Sequence, residues 1–256
     1  MTADKQQQLS LPNLVSSEWL KLRSLRSFWF AAAGVVLLTA AGALLPALFF
    51  TADNPPTEAE APLLVFRFGA MGGQIALLVL AVLALTSEYS SGSIRLTLVA
   101  APRRLRVIAA KAVVVTAVSA LLAVVSLPVA YVVCVPKLNS LGLHPASRSI
   151  IGGFAAHVGY LILVAAFAFA VALAVRSTAA GVGIGLGVVF VLPSVLSLLG
   201  GGLHQTLDKL GFTDAANSLF YSHSSIGTLL TDAVTVTVWV AVPLLIGGMA
   251  LVRRDA

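Results

Sequence analysis

Charged side chains are scarce in this sequence. Asp, Glu, Lys and Arg together make up 10% of its 256 residues, whereas 59% of the residues are hydrophobic. A soluble domain carries about 25% charged residues, so the composition excludes one and indicates an integral membrane protein. A spanning helix needs about 20 mainly apolar residues. The sequence therefore predicts an all-α membrane fold in one transmembrane domain, with six spans at 28–50, 66–85, 107–135, 150–175, 179–200 and 233–252.

Motifs for nucleotide and zinc chemistry are missing as well. The sequence contains neither GxxxxGK[ST] nor HExxH, so we expect no ATP and no catalytic metal to bind this chain. Its one cysteine, Cys134, lies in an apolar stretch, which excludes an intramolecular disulfide and a cysteine-based zinc site. The serines and histidines show no spacing typical of an intramembrane hydrolase. We therefore expect a protein that is not an enzyme and holds no cofactor.

Ionisable residues are absent from the middle of the predicted spans. Such a group costs roughly 2.5–3.5 kcal/mol at a helix centre and usually marks proton or ion coupling. His157 comes nearest, and we expect a hydrogen-bonded packing histidine there ahead of a proton relay. Charges near the helix ends, including Glu88 and Lys111, are expected to snorkel or to lie in a wet loop. An ion-coupled secondary carrier is thereby disfavoured.

The basic residues are unevenly divided between the two sides of the membrane. With both termini placed inside, most of the sixteen Lys and Arg residues fall on the inner side, as the positive-inside rule requires. The excess of positive charge is then a topology signal that also suits anionic lipid headgroups. We expect cytoplasmic termini, lipid contacts and no nucleic-acid partner.

The segment 11–27 precedes the first span and has apolar residues at helical spacing, namely Leu11, Leu14, Val15, Trp19 and Leu22. This spacing predicts an amphipathic helix in the membrane interface, with Glu18 on its polar side. Trp19 suits the aromatic belt, and Lys21 and Arg23 suit anionic headgroups. Two interpretations stay open. The helix is either a membrane anchor or an elbow that also contacts a cytoplasmic partner.

Four glycines alternate along the fifth predicted span, at Gly181, Gly183, Gly185 and Gly187. No strand precedes them, so they do not form a dinucleotide-binding fingerprint. Glycines four residues apart let two membrane helices approach closely, which predicts a packing or dimer interface. The alternative is that glycine is simply common in spanning helices.

A polar, basic island separates the second and third spans. Residues 86–106 read TSEYSSGSIRLTLVAAPRRLR, and the chain opens its membrane part with EWLKLRSLRSFWF. Both stretches resemble the membrane subunits of bacterial ABC-2 type exporters, in which a Ser-Glu-Tyr-x-x-Gly-[Thr/Ser]-Ile-Arg motif follows the second helix. The resemblance is strongest over residues 16–30 and 84–111. It implies a cytoplasmic coupling helix at 87–101 and an extracellular or re-entrant segment at 201–232.

The resemblance also implies the protein's role and partners. It implies a permease in the bacterial plasma membrane, which pairs with a second permease copy and with a separate cytoplasmic ATPase that holds ATP and Mg²⁺. The positions that match the ATPase-contacting motif are Glu88, Tyr89, Gly92, Ser93, Ile94 and Arg95. An uncharged path favours a hydrophobic or amphipathic cargo, such as a drug, lipid or peptide. The main alternative is a non-transporting membrane immunity or regulatory protein, for which the island would serve only as a positive-inside signal.

Overall fold

The computed structural model describes residues 11–51, 55–93, 104–198, 209–221 and 225–253, and within these ranges the regular structure is helical. A π-helical turn, Gly187–Val191, joins the helices Thr178–Leu186 and Leu192–Ser197. The helices are α1 Leu11–Ser24, α2 Arg26–Phe49, α3 Glu60–Ser90, α4 Arg104–Ser140, α5 Ser147–Val175, α6 Thr178–Leu186, α7 Leu192–Ser197, α8 Phe212–Tyr221 and α9 Ile226–Arg253.

Six of the described helical runs are long and apolar enough to cross a membrane, with Thr178–Ser197 counted as one run. The predicted all-α, six-span fold is therefore confirmed. Several helices are longer than the apolar stretches that predicted them: α3 begins at Glu60 and α4 ends at Ser140. A helix can continue into the headgroup region after its sequence has become polar, so hydropathy marks the hydrocarbon core and not the helix ends.

Helices α2 and α3 pack with their backbones in close contact. A Cβ atom on Gly42 would meet the carbonyl group of Phe68, and one on Gly72 would meet the carbonyl oxygen of Leu38. Small residues allow this approach, which brings dispersion contacts along both helices in a membrane where lipid tails are as apolar as the side chains. The glycines that set this crossing lie on two separate spans, and the sequence pattern did not single them out.

The predicted glycine stripe of the fifth span divides between two faces. Gly181 and Gly185 pack within the chain, against the side chains of Val82 and Leu78 in α3. Gly183 and Gly187 have no atom within 4 Å of a Cβ built on them among the described residues. One half of the stripe therefore packs α6 onto its own bundle, and the other half faces outward.

The predicted segment 201–232 is described only in part, because residues 201–208 and 222–224 lie outside the described ranges. Its helix α8 packs against α5 and α9, with the Phe212 ring stacked on Phe167 at a centroid distance of 4.5 Å. The indole N–H of Trp239 in α9 donates to the carbonyl of Leu210, at 2.8 Å. The re-entrant position of this segment stays a prediction.

His157 is fully buried within α5. Its ring Nδ1 lies 3.1 Å from the carbonyl oxygen of Phe66 in α3, and the two rings meet edge to face at 6.4 Å. This hydrogen-bonded position fits the packing role expected of it.

Candidate functional site

Four ionisable side chains from three helices meet at one end of the bundle. The ammonium group of Lys111 in α4 pairs with Glu18 in α1 and, at 2.8 Å, with Oε1 of Glu88 in α3. The ammonium group of Lys21 in α1 lies 2.7 Å from Glu18 and 3.2 Å from Glu88. We call Glu18, Lys21, Glu88 and Lys111 the charge cluster. Its two positive and two negative charges give the cluster a net charge of zero.

Most of the charge cluster is buried. Lys111 is 3% exposed, Glu18 5% and Glu88 9%, while the Lys21 side chain is 45% exposed. Partial burial lowers the pKa of Lys21, but the hydrogen bond and charge of Glu18, followed by those of Glu88, outweigh it and raise the pKa above 10.5. Because a buried charge is tolerated only when it is paired, the cluster ties α1 to the ends of α3 and α4.

Two expectations about these charges are wrong. Glu18 lies on the buried face of α1 together with Leu22, not on a polar side facing water. Lys111 and Glu88 are buried and ion-paired with each other, so neither snorkels or lies in a wet loop. Helical periodicity predicts that a carboxylate lies on the water-facing side of a helix. Only the fold shows that Lys111 of another helix pairs with Glu18. The signal available in the sequence was a single charged residue, Glu18, Glu88 or Lys111, at the edge of each of three apolar segments.

The last turn of α3 is also braced by the junction between α5 and α6. The hydroxyl of Thr178 donates to that of Thr86 at 2.8 Å. The guanidinium group of Arg176 lies over the ring of Tyr89, 5.6 Å from its centroid, in a cation–π arrangement. Arg176 has a left-handed backbone, with φ of 54°, where α5 ends. Glu88 and Tyr89 therefore make contacts within the bundle. Their contact with an ATPase stays a prediction.

The residues that directly follow Tyr89 are more accessible than Glu88 and Tyr89. Ser90, Ser91 and Gly92 are exposed, and Ser93 is half-buried with its hydroxyl 2.9 Å from that of Ser91. Gly92 has a φ of 70°, the left-handed conformation that commonly ends a helix. Helix α3 thus runs on through the start of the predicted coupling helix. The remaining predicted contacts, Ile94 and Arg95, lie outside the described residues.

The predicted interface residues of α1 hold the elbow between α1 and α2. Trp19 is half-buried and packs edge to face on Phe28, with ring centroids 6.0 Å apart. Arg23 is exposed, and its carbonyl accepts a hydrogen bond from the indole of Trp29 at 3.0 Å. Leu25 between the two helices has an extended backbone. Together with the charge cluster, these contacts fix the angle of α1 against the bundle. The place of α1 in the lipid interface stays a prediction.

A cavity of about 450 Å³ adjoins the charge cluster. It is lined by the cluster itself, by serines of α1 and α3, and by apolar residues such as Leu22 and Val115. Oε2 of Glu88 is buried and has no hydrogen-bond partner within the described part of the chain. The cluster therefore borders open volume and is not sealed inside a close-packed core.

One protein-family model covers the part of the chain that contains the charge cluster and the close α2–α3 pair. A family model described as ABC-2 family transporter protein matches residues 14–194, the stretch from α1 to α7. The matched range contains the whole charge cluster and both helices of the close α2–α3 pair. A comparison with curated proteins gives no match.

Proposed function

Because the chain belongs to the ABC-2 family of transporter proteins, we propose that it is the permease subunit of an exporter driven by a separate ATPase. The family supplies the membrane component of transport. The observation that carries the proposal is the exposed end of α3 at Ser90–Gly92. The residues just before it are fixed to the bundle, because Glu88 belongs to the charge cluster and Tyr89 contacts Arg176. A rigid projection of this kind suits the transfer of force from a soluble partner.

The proposed coupling runs through the braced end of α3. ATP binding draws two ATPase subunits together, and each subunit pushes on the exposed turn it contacts. Because Glu88 is ion-paired with Lys111 and Lys21, a displacement of this turn must carry α1 and α4 with it or break buried ion pairs. Breaking such a pair is costly, at about 3–5 kcal/mol. The three helices therefore move together, which opens a path between permease subunits.

The same proposal orients the chain and limits its cargo. The ATPase contact places the α3 end and both termini in the cytoplasm of a bacterial cell, in line with the distribution of basic residues. The uncharged span centres favour a hydrophobic or amphipathic cargo. A cross-link from Ser90 to a cytoplasmic ATPase would establish this orientation, whereas labelling of Ser90→Cys by an impermeant reagent in intact cells would contradict it.

The proposal predicts that Ser90→Arg will reduce ATPase binding at least tenfold, because a large cation would occupy the exposed docking turn. Ser90 is exposed, and its hydroxyl donates only to the carbonyl of Ser87 among the described residues, so the fold should be retained. The measurement is the amount of ATPase that co-purifies with the tagged permease. The matched control is Ser140→Arg, which alters an exposed serine with the same kind of bond to Lys137 at the other end of α4.

A second permease copy is proposed to pack on the outward face of α6. The helical run Thr178–Ser197 is poorly covered by the rest of the chain. In its most apolar stretch 17% of the residues are buried, whereas the corresponding value for α5 is 61%. Within this run, no described atom lies within 4 Å of a Cβ built on Gly183 or Gly187, and the neighbouring Ile184 is 44% exposed. Small residues four apart permit close helix pairing, so this face suits a symmetric contact.

This interface predicts that Gly183→Cys will form a covalent dimer under mild oxidation in native membranes. The natural thiol, Cys134, is buried and should give little background. Ile246→Cys in α9 provides the control, because Ile246 is 51% exposed but belongs to another helix. Dimer from Gly183→Cys alone would support the contact. Equal yields from both positions, or monomer throughout, would contradict it.

A further inference from the structure

A second cavity lies at the opposite end of α3 from the charge cluster. Its volume is about 500 Å³, within the range of small-molecule sites. Its walls come from the end of α2, the segment that precedes α3, the first two turns of α3 and the end of α8. Among the described residues that form them, the polar side chains are those of Glu60, Arg67 and Tyr221. Any ligand would therefore meet both apolar side chains and polar surface.

The carboxylate of Glu60 is already occupied by the start of its own helix. Oε2 accepts hydrogen bonds from the hydroxyl and the backbone N–H of Thr57, at 2.8 and 3.3 Å. The backbone N–H of Glu60 donates in return to the Thr57 hydroxyl at 3.2 Å. This is a reciprocal capping box. Its negative charge is thus engaged at the N-terminus of α3, where the helix dipole also stabilises it.

Arg67 is in the opposite situation. Its side chain is exposed, and within the described ranges it has no ion pair and no hydrogen bond. Tyr221 lies beside it because its hydroxyl donates to the carbonyl of the preceding residue, Phe66, at 3.5 Å. That bond leaves the phenol oxygen as an acceptor. The guanidinium group is therefore the one positive charge among the described residues that line this cavity, and its five N–H donors are available to an anion.

The depth of Arg67 suits a headgroup. Helix α3 has 31 residues, which gives a length of about 46 Å at 1.5 Å per residue. The hydrocarbon core is about 30 Å thick, so each end of a centred helix projects about 8 Å beyond it. Arg67 follows Glu60 by about 10 Å along the axis. Its Cα then lies near the boundary of the core, from which the long side chain reaches the layer of phosphate groups.

We propose that this cavity binds an anionic amphiphile, with Arg67 holding a phosphate or carboxylate head and Phe50 and Leu64 contacting the apolar chain. Arg forms two parallel hydrogen bonds with such a head. Two sources share this chemistry, namely a phospholipid that stays bound and an amphiphilic cargo. Binding itself does not depend on the ATPase, whereas a role in cargo transport rests on the proposed permease function.

The test measures binding to the purified full chain in a neutral detergent. Three fluorescent probes are compared: a two-chain phosphatidylglycerol, a single-chain dodecyl phosphate and an uncharged dodecanol. Arg67→Gln should lower the affinity for an anionic probe at least tenfold, because it removes a charge-assisted bidentate contact. Arg67→Lys should lower it less, since the charge remains and the planar fork is lost. Neither change should affect the uncharged probe.

The control is Arg148→Gln, which removes another exposed arginine at the start of α5 that does not line the cavity. A loss confined to phosphatidylglycerol would indicate a resident lipid, and a loss confined to dodecyl phosphate would indicate cargo. Either of these two results would support the site. Equal binding of the anionic probes to wild type and Arg67→Gln, or an equal loss in Arg148→Gln, would overturn it. Because no ATPase is present, such a failure would leave the coupling proposal to its own test.

Discussion

Replacing Lys111 with methionine is expected to destabilise the protein by about 3–5 kcal/mol, the cost of removing one partner from a buried ion pair. Glu18 and Glu88 would then share the ammonium group of Lys21 alone, which is partly exposed. One uncompensated negative charge would remain in the interior. We expect the melting temperature of the detergent-purified protein, followed by tryptophan fluorescence, to fall by roughly 10 °C.

The control for this change lies on the same helix. Lys137 stands near the far end of α4 and pairs with no carboxylate in the described part of the chain, so Lys137→Met should have little effect. Adding Glu18→Gln to Lys111→Met should recover part of the loss, because it restores charge balance. If Lys111→Met melted at the same temperature as Lys137→Met, the charge cluster would not hold α1, α3 and α4 together.

Gly72→Val is expected to cost about 1–3 kcal/mol or more, because its Cβ would be forced against the backbone carbonyl of Leu38. A backbone oxygen cannot rotate away as a flexible side chain can, so α2 and α3 would have to separate. Separation would remove packing along both helices. The expected result is a lower melting temperature and a lower yield of monodisperse protein.

Gly152→Val in α5 is the matched control for the glycine variant. It introduces the same β-branched residue into a spanning helix, but nothing lies within 4 Å of its new Cβ in the described structure. The helix-propensity cost is shared by both variants, and the clash belongs to Gly72 alone. Indistinguishable melting temperatures for the two variants would show that the close α2–α3 approach does not contribute to stability.

The fold class could be predicted because each spanning helix carries its own signal, a run of about 20 apolar residues. The charge cluster could not. Glu18, Glu88 and Lys111 lie in three separate segments, and each alone looks like a charge at a helix end. Their pairing depends on how α1 turns back on the bundle at Leu25, which no local spacing encodes.

Helix packing was predicted unevenly for a similar reason. The stripe from Gly181 to Gly187 is visible because its members are close in sequence, yet only two of them pack inside the chain. The α2–α3 contact combines Gly42 with Gly72, which are thirty residues apart. A small residue shows that a close approach is possible, and the partner helix is known only once the fold is known.

A match to a family motif does not show whether a residue contacts a partner or stabilises the fold, as two residues of the polar island illustrate. Glu88 and Tyr89 match the family's motif, and the structure places their side chains in contacts with Lys111 and Arg176. Their substitution would therefore disturb the fold and any partner contact together. Ser90 separates the two effects, because it is exposed and makes only a local hydrogen bond among the described residues.

The most direct test of the account is photo-cross-linking from position 90 in living cells. A benzoylphenylalanine placed at Ser90 is predicted to attach to an ABC ATPase subunit, identified by mass spectrometry, while the same probe at Ser140 should not. An ATPase captured from position 90 alone would establish a permease driven through the end of α3. Capture of no ATPase at position 90, or equal capture from both positions, would contradict this account and favour a non-transporting immunity or regulatory protein.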